Sequence, residues 1–405
     1  MHSTHSRHVL ALLPAFAAGI IACSDDHAPT QPGDSTLTFA TVSAGGGHVC
    51  AVTTPGAAYC WGANVAGQLG DGATGERVTA VLVAGGLIFA TVSAGPEHTC
   101  GVTAGSAAYC WGANDAGALG DGTTTNRSSP VPVSGGLTFA TVSAGGVSGA
   151  RHTCGVTTGG AADCWGANAA GELGDGTTTN RSSPVPVSGG LIFATVSAGP
   201  EYTCGVTTGG ATYCWGANDV GELGDGTTTN RSSPVPVSGG LTFATVSTGG
   251  VGRRNHTCGV TTGGAAYCWG ANEFSQLGDG TTTDRSSPVP VSGGLTLAAV
   301  STGAIHTCAV TTGGAAYCWG ANDAGELGDG TRMNRMTPVA VLDAPTFTTV
   351  SAGGSHTCGV AADGRVYCWG SNQWGQLGTR PTTGPQQCFA GIGCSTTPLR
   401  VRVVP

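Results

Sequence analysis

Short stretches in which apolar and polar residues alternate recur along most of the chain, separated by turns rich in glycine, threonine and serine. One unit contains four of them, at Phe89–Ala94, His98–Thr103, Ala107–Trp111 and Val131–Ser134. Each has the two-residue period of a β-strand, and none has the spacing of a helix. We therefore expect an all-β protein, with four short strands per unit.

The same order of stretches recurs seven times. A tryptophan follows the second cysteine of every unit, at Trp61, Trp111, Trp165, Trp215, Trp269, Trp319 and Trp369. Their spacings are 50, 54, 50, 54, 50 and 50 residues. A period near fifty, with strand-like stretches inside each unit, is typical of a radial array of small sheets. Seven units are enough to close a disc, and we predict four antiparallel strands in each.

Alternation also predicts how the sheets pack. Tyr109 and Trp111 share one face of a strand while Cys110 points to the other, so each small sheet has apolar groups on both faces. Such a sheet must lie between two neighbours to be stable. The fourth stretch of most units reads Pro-Val-Pro-Val, and its prolines exclude a central strand. We place it at the outer edge, where prolines also hinder edge-to-edge aggregation.

Cysteine usage adds covalent restraints. Fourteen of the seventeen cysteines form seven pairs ten residues apart: Cys50 with Cys60, Cys100 with Cys110, Cys154 with Cys164, Cys204 with Cys214, Cys258 with Cys268, Cys308 with Cys318 and Cys358 with Cys368. Each pair brackets a turn, so its members face each other across one hairpin. We predict disulfides there and between Cys388 and Cys394; metal binding and free thiols are the alternatives. Two cysteines per unit supply too few ligands for a local zinc site.

The N-terminus indicates export. Arg7 and His8 precede an apolar stretch ending at Ile21, which suits a signal peptide and is short for a membrane span. The Ala22-Cys23 junction resembles the lipobox of bacterial lipoproteins, which implies lipidation of Cys23; an ordinary secretory site is the alternative. We predict a signal peptide (1–22), a lipidated cysteine with a flexible tether (23–37) and a bacterial cell-envelope location, at the outer membrane or cell surface.

Composition narrows the function classes. Only 9% of residues are charged, the net charge is −8 and all fifteen basic residues are arginines. The basic surface needed for nucleic-acid binding is absent, and we expect no nucleic-acid partner. Without lysine, the chain has no P-loop, Schiff base or lysine-assisted serine. No nucleophile–base arrangement stands out, so we expect neither enzymatic activity nor a cofactor.

The repeat combines a small-residue first strand, an H-x-C hairpin, a Y-x-W-G turn and a G-x-L-G loop. In these motifs it resembles the regulator-of-chromosome-condensation repeat over residues 38–405, which implies a seven-bladed β-propeller. Whether an N-terminal strand completes the last blade is left open. The last unit departs most, because Gly378-Thr379-Arg380 replaces Gly-Asp-Gly and an insertion follows.

Three sets of residues are candidate ligand sites. Gly70–Gly75 matches G-x-G-x-x-G but lies in a loop without a βαβ unit, so no dinucleotide is expected. A histidine, or Tyr202, precedes the first cysteine of each unit, which favours a structural hydrogen bond over a metal site. The histidines are His48, His98, His152, His256, His306 and His356. The aspartates of Gly-Asp-Gly favour local turns over calcium: Asp71, Asp121, Asp175, Asp225, Asp279 and Asp329.

The repeats differ mainly in two loops, one after the first strand and one after the Trp-Gly. Two four-residue insertions, at 147–150 and 251–254, lie in the first of them. Since strand direction alternates, both loops open on one face of the disc. The predicted partner-binding residues on this face are Glu97, Arg151, Glu201, Arg253, Arg254, Phe274 and Trp374. We expect a monomeric scaffold for an unidentified protein; a glycan-binding lectin, an enzyme or an inhibitor of a secreted enzyme are the alternatives.

Overall fold

The computed structural model describes residues 37–381, 386–389 and 391–403. The predicted signal peptide, the lipidation site Cys23 and the tether up to residue 36 lie outside the described residues. Within them, all regular secondary structure is β-strand, and the strands form seven sheets. The prediction of a seven-bladed β-propeller is confirmed.

The two inner strands of each blade form the centre of the ring. The first strands are β1 (Phe39–Ala44), β5 (Phe89–Ala94), β9 (Phe139–Val147), β13 (Phe193–Ala198), β17 (Phe243–Gly249), β21 (Leu297–Thr302) and β25 (Phe347–Ala352). The second strands are β2 (His48–Thr53), β6 (His98–Thr103), β10 (Ala150–Thr157), β14 (Tyr202–Thr207), β18 (His256–Thr261), β22 (His306–Thr311) and β26 (His356–Ala361).

The outer half of each blade begins with the strand that carries the tryptophan. The third strands are β3 (Ala58–Gly62), β7 (Ala108–Gly112), β11 (Ala162–Gly166), β15 (Thr212–Gly216), β19 (Ala266–Gly270), β23 (Ala316–Gly320) and β27 (Val366–Ser371). The outer strands of blades 1 to 6 are β4 (Arg77–Leu82), β8 (Arg127–Pro132), β12 (Arg181–Pro186), β16 (Arg231–Pro236), β20 (Arg285–Pro290) and β24 (Arg335–Ala340). Blade 7 ends with β28 (Gln386–Phe389) and β29 (Ile392–Arg400).

The ring closes without strand exchange. Blades 1 to 6 are antiparallel meanders, blade 7 has the order β25-β26-β27-β29-β28, and β1 packs against β25 and β26. The open question about the N-terminus is thereby answered: β1 is the inner strand of blade 1, and blade 7 takes its outer strand β29 from the C-terminal segment. The closing contact also repeats the others, because Phe39 N donates to Gly364 O at 2.8 Å, as Phe89 N does to Gly56 O.

Three strand predictions needed correction, and the smallest is a shift of one residue in the third strand of blade 2, which is Ala108–Gly112 and not Ala107–Trp111. The fourth strand of blade 2 is Arg127–Pro132 and not Val131–Ser134. Pairing of Arg127 with Gly112 starts the ladder early, and a bulge then precedes the Val131–Cys110 pair. The prolines do lie on the outer edge, as expected. Blade 7 has five strands because its insertion adds β28 beyond β29.

The core lies between blades, where the seven tryptophans are fully buried. Each indole Nε1 donates to a backbone carbonyl of the preceding blade at 2.8–2.9 Å, in a series that includes Trp61 to Gln376 across the closing interface. Truncating such a side chain typically costs about 3–5 kcal/mol. Nearer the axis, a serine Oγ of each blade accepts a backbone N–H of the next at 2.9–3.1 Å, a ring completed by Ser351 and Ala44.

All eight predicted disulfides are present. Seven of them join register partners on the second and third strands of one blade, with Cα atoms 4.0–4.1 Å apart. They bond Cys50 to Cys60, Cys100 to Cys110, Cys154 to Cys164, Cys204 to Cys214, Cys258 to Cys268, Cys308 to Cys318, and Cys358 to Cys368. These fourteen cysteines are fully buried. The eighth bond, from Cys388 to Cys394, joins β28 to β29. Each disulfide therefore lies within a single blade, and the pattern is that of an exported protein.

Candidate binding face

The loops between first and second strands and those between third and fourth strands lie on one face of the propeller, which we call the variable face. Contacts between the two sets of loops show this directly. Arg151, beside the first insertion, reaches Asp115 after β7, and Arg253 in the second insertion reaches Asp219 after β15. Residues of the two variable sets therefore converge, as the alternating strand directions predicted.

The first insertion is part of the blade 3 sheet and lies against blade 2. It extends β9 and β10, so that Val147 pairs with Ala150. Arg151 forms ion pairs with Glu97 and, at 2.7 Å, with Asp115, and its side chain is only 6% exposed. Arg151 was expected to contact a partner, but its charge is already neutralised inside the protein. Burial lowers the pKa of its guanidinium from the ordinary value.

The second insertion is exposed. Arg253 is 84% exposed and lies 3.3 Å from Asp219, whereas Arg254 pairs with Glu273 and stacks over the Phe274 ring at 4.9 Å. Exposed pairs of this kind contribute at most about 1 kcal/mol. Arg253 and Arg254 are therefore accessible on the variable face, as predicted.

The two aromatic residues of this face are less exposed than expected. Phe274 and Trp374 are both half-buried. Phe274 lies under Arg254, and Trp374 lies against Gly47 of blade 1, where a Cβ added to the glycine would be 2.8 Å from Trp374 Cδ1. They belong to blades 5 and 7 and do not form a pair.

Glu97 and Glu201 occupy equivalent loop positions but have different surroundings. Glu97 pairs with Arg151 and accepts a hydrogen bond from Ser148 Oγ at 3.0 Å. Glu201 is half-buried near Glu172, a glutamate that is 1% exposed. Burial, with a further contribution from Glu201, raises the pKa of Glu172.

Sequence analysis missed a set of buried carboxyl groups under this face. Glu172, Glu222 and Glu326 occupy the second position of the G-x-L-G loop and are 1–4% exposed. One oxygen of each accepts the backbone N–H two residues earlier at 2.8–2.9 Å. Burial raises the pKa of all three, to about 7 for Glu326. The available signal was that three other units have glutamine there, since glutamine makes the same hydrogen bond without a charge.

The repeated histidines are structural. Five of the six donate from Nε2 to a threonine Oγ1 of the next blade at 2.8–3.0 Å. The threonine hydrogen goes to a backbone carbonyl, for example from Thr153 to Ala118 O, so the imidazole must carry its hydrogen on Nε2. All six are fully buried, and burial lowers their pKa to about 3–4. In the remaining blade, the Tyr202 hydroxyl donates to His256 O at 2.6 Å.

The repeated aspartates are also structural. Each pairs with the arginine that starts the outer strand, at 2.7–3.1 Å. Burial alone raises the pKa of Asp121, but hydrogen bonds from Thr123 and Arg127 outweigh it and lower the pKa overall. Among the described residues, no group of three or more His, Cys, Asp or Glu side chains could hold a metal. No helix in this part of the chain has the length and hydropathy of a membrane span.

Comparison with known families agrees with this architecture. Two models, each described as the regulator of chromosome condensation (RCC1) repeat, match most of the chain. One matches residues 39–68, 89–118, 298–326 and 347–376. The other matches residues 107–156, 164–206, 209–258, 263–310, 313–360 and 363–404. The chain belongs to the RCC1 repeat family. The curated proteins compared with it give no match.

Solved structures of other proteins resemble this one in fold. Human WBSCR16 has a TM-score of 0.72 at 20% identity, covering 85% of this chain and 94% of that one. Yeast RCC1 (Prp20), solved with Kap60, has a TM-score of 0.71 at 18% identity, covering 96% and 91%. Prp20p from Saccharomyces cerevisiae, a structure reported with its binding properties to Gsp1p and histones, has a TM-score of 0.70 at 20% identity. The match covers 90% of this chain and 87% of that one.

Proposed function

We propose that this protein is a non-enzymatic scaffold of the bacterial cell envelope, which binds another protein with its variable face. The observation that supports this is the distribution of differences among the repeats. Residues that join blades recur almost unchanged, as the tryptophan and serine contacts do. Both insertions and most of the varied charged residues lie in the loops of a single face.

Relatives of this fold bind proteins, as the Kap60 complex and the work on Gsp1p and histones indicate. A rigid ring suits this role, because binding a preorganised surface costs little conformational entropy. A lectin that used one sugar site per blade would need the same residues in every blade, and the variable face has different ones.

The anchor is the second part of the proposal. In this proposal Cys23 carries the lipid, and the residues that follow it link the lipid to the propeller. A Cys23→Ala variant is expected to lose incorporation of a labelled fatty acid and to appear in the soluble fraction. Retention of both label and membrane association by this variant would contradict lipidation at Cys23.

The binding face can be tested by photo-crosslinking in intact cells. A photoreactive residue replaces Arg253 on the variable face or, as the matched control, Thr208 in the exposed turn on the opposite face. We expect a discrete protein adduct from position 253 and none from 208. Equal adducts from both positions, or none from any position on the variable face, would contradict the proposal.

A further inference from the structure

The centre of the variable face is a funnel. Its cavity of about 450 Å³ is lined by the ends of the first strands and the loops that follow them in all seven blades. The wall is largely backbone. At Gly45 an added Cβ would lie 2.3 Å from Gly95 O, and at Gly249 it would lie 2.4 Å from Gly303 O. Neighbouring loops are therefore closely packed around the funnel, and its wall consists of backbone and mostly small side chains.

The rim of this funnel is uneven. Five apolar residues, Pro96, Val147, Pro200, Val251 and Ile305, line it on blades 2 to 6. On blades 7 and 1, the corresponding loops contain Gly353-Gly354-Ser355 and Gly45-Gly46-Gly47. The rim therefore has the fewest side-chain atoms on these two blades. We call these two loops, with Trp374 and Val65 in the loops after the third strands of the same blades, the bare sector.

An apolar wall borders the bare sector. Trp374 of blade 7 lies against Gly47, and Ala63 is also beside this glycine. Val65, two residues further on, is 65% exposed. The equivalent position is Asp115, Ala169, Asp219, Glu273, Asp323 or Gln373 in the other blades, so blade 1 alone has a large apolar residue there.

Charge separates the two sides of the face. Around blades 2 to 5, the arginines already have acidic partners: Arg151 has Glu97 and Asp115, and Arg253 has Asp219. The loops that form the bare sector contain no charged residue from Gly45 to Gly47, from Gly353 to Ser355 or at Val65 and Trp374. A charged occupant would lose its hydration there without gaining a partner.

We infer that the bare sector and funnel receive a protruding loop of the partner protein, with an uncharged apolar or aromatic side chain at its tip. This inference rests on the proposed function and specifies its site. The tip enters the funnel, and the flanking backbone crosses Gly46 and Gly354 beside Trp374. The proline, valine and isoleucine side chains of the rim favour an apolar tip over a sugar, which needs several polar side chains and would meet only the hydroxyls of Ser148, Thr248, Thr302 and Ser355.

The test uses dye-labelled, disulfide-cyclised octapeptides with tryptophan or aspartate at the tip, titrated against the mature protein by fluorescence anisotropy. We expect saturable binding of the tryptophan peptide and at least tenfold weaker binding of the aspartate peptide. Val65→Arg and Trp374→Ala should each weaken the tryptophan peptide at least fivefold. Alanine occupies the position equivalent to Trp374 in four blades, so the second variant is compatible with the fold.

Matched controls are Ala169→Arg and Val220→Ala, which introduce the same residues at the equivalent positions of blades 3 and 4 and should alter binding less than twofold. Equal loss in variants and controls, no saturable binding, or equal binding of the aspartate peptide would overturn the inference. Crosslinking from position 253 distinguishes the two proposals. A partner captured there but unaffected by Val65→Arg contradicts only the loop site, whereas no adduct contradicts the binding face itself.

Discussion

The interface between blades 7 and 1 closes the ring, and it lacks a histidine–threonine hydrogen bond that the interface between blades 2 and 3 has. Between blades 2 and 3, Thr153 accepts from His98 at 2.9 Å and donates to Ala118 O at 2.8 Å. Between blades 7 and 1 the position is Val49, and neither ring nitrogen of His356 has a hydrogen-bond partner.

The closing interface keeps two of the contacts that join the other blades, which indicates that these contacts are needed at every interface. Trp61 still donates to Gln376 O, and Ala44 N still donates to Ser351 Oγ, both at 2.9 Å. These bonds involve backbone groups, whose loss would leave buried peptide groups unpaired. The histidine–threonine link is absent from two of the seven interfaces: between blades 4 and 5 Thr257 donates to the Tyr202 hydroxyl instead, and between blades 7 and 1 nothing replaces it. We conclude that the closing interface is the weakest in the ring, since it lacks both this link and a connecting chain segment.

Lowering the pH should have the largest effect on stability, and it should show whether the closing interface is weaker than the others. The six buried histidines have a pKa of about 3–4 in the fold, against 6.5 when exposed. Their contribution is complete above pH 6.5 and is lost as the pH falls, because only the unfolded chain takes up protons. At pH 5.5, one unit below the pKa of an exposed histidine, each of the six contributes about 1 kcal/mol less to the free energy of unfolding. Protonation of the buried glutamates offsets part of this loss.

Guanidinium unfolding of the oxidised protein at pH 7.5 and 5.5 measures the net loss. Hydrogen exchange at the two pH values should show β1 and β29 losing protection before β5 to β8 of blade 2. An unchanged midpoint would contradict the role of the histidines. Uniform loss of protection around the ring would contradict a weak closing interface.

The next effect concerns the residue whose backbone carbonyl accepts the hydrogen bond from the tryptophan indole. It is Gln376 at the closing interface and Glu326 between blades 6 and 7. Burial raises the pKa of Glu326 to about 7, so its stabilising contribution, complete below the unfolded pKa of 4.5, is lost as the pH rises through 7. Glu326→Gln should therefore raise the free energy of unfolding by up to about 3 kcal/mol at pH 8. Thermal unfolding at pH 8 and 5.5 should show a smaller gain at the lower pH, and an equal gain would indicate a packing effect.

Converting an interior interface to the closing type should change the free energy of unfolding by a smaller amount. Thr153→Val removes the acceptor of His98 and the donor to Ala118 O, and leaves a buried N–H unpaired. The expected loss is about 1–3 kcal/mol in the free energy of unfolding, measured by guanidinium denaturation. Thr208→Val, at an exposed turn, is the control and should have no effect. Equal stability of Thr153→Val and wild type would show that the link contributes nothing.

The reverse change should have the smallest effect. Val49→Thr places a hydroxyl between His356 Nε2 and Gln376 O, as in the other blades. We expect a gain of about 1 kcal/mol, with slower hydrogen exchange in β1. Val102→Thr, at a position that is 2% exposed, is the matched control and should destabilise the protein. If both substitutions destabilise equally, the closing interface does not need this hydroxyl.

The fold was predictable because a repeat of seven units leaves few ways to bury its apolar residues. Cysteines ten residues apart around a turn likewise permit one simple pairing, and both predictions are confirmed. The bounds of the fourth strand were not predictable from alternation, since pairing of Arg127 with Gly112 depends on a bulge.

The candidate site was less predictable, because exposure there depends on neighbouring blades. Arg151 is buried by Glu97 and Asp115 of blade 2. Trp374 is half-buried because it lies against the loop that contains Gly47. None of these partners is near in sequence. That the variable loops share a face followed from strand direction alone, whereas which side chains remain accessible required three-dimensional contacts.

The disulfides, each confined to one hairpin, set how far the molecule can be stretched. Pulling on the two ends under oxidising conditions would separate blades without opening the ten-residue segment between each cysteine pair. At about 3.4 Å per residue, the seven segments withhold more than about 200 Å of contour length. A propeller torn open at its closing interface would thus extend as a series of short tethers joined by intact loops, and only reduction would release the rest.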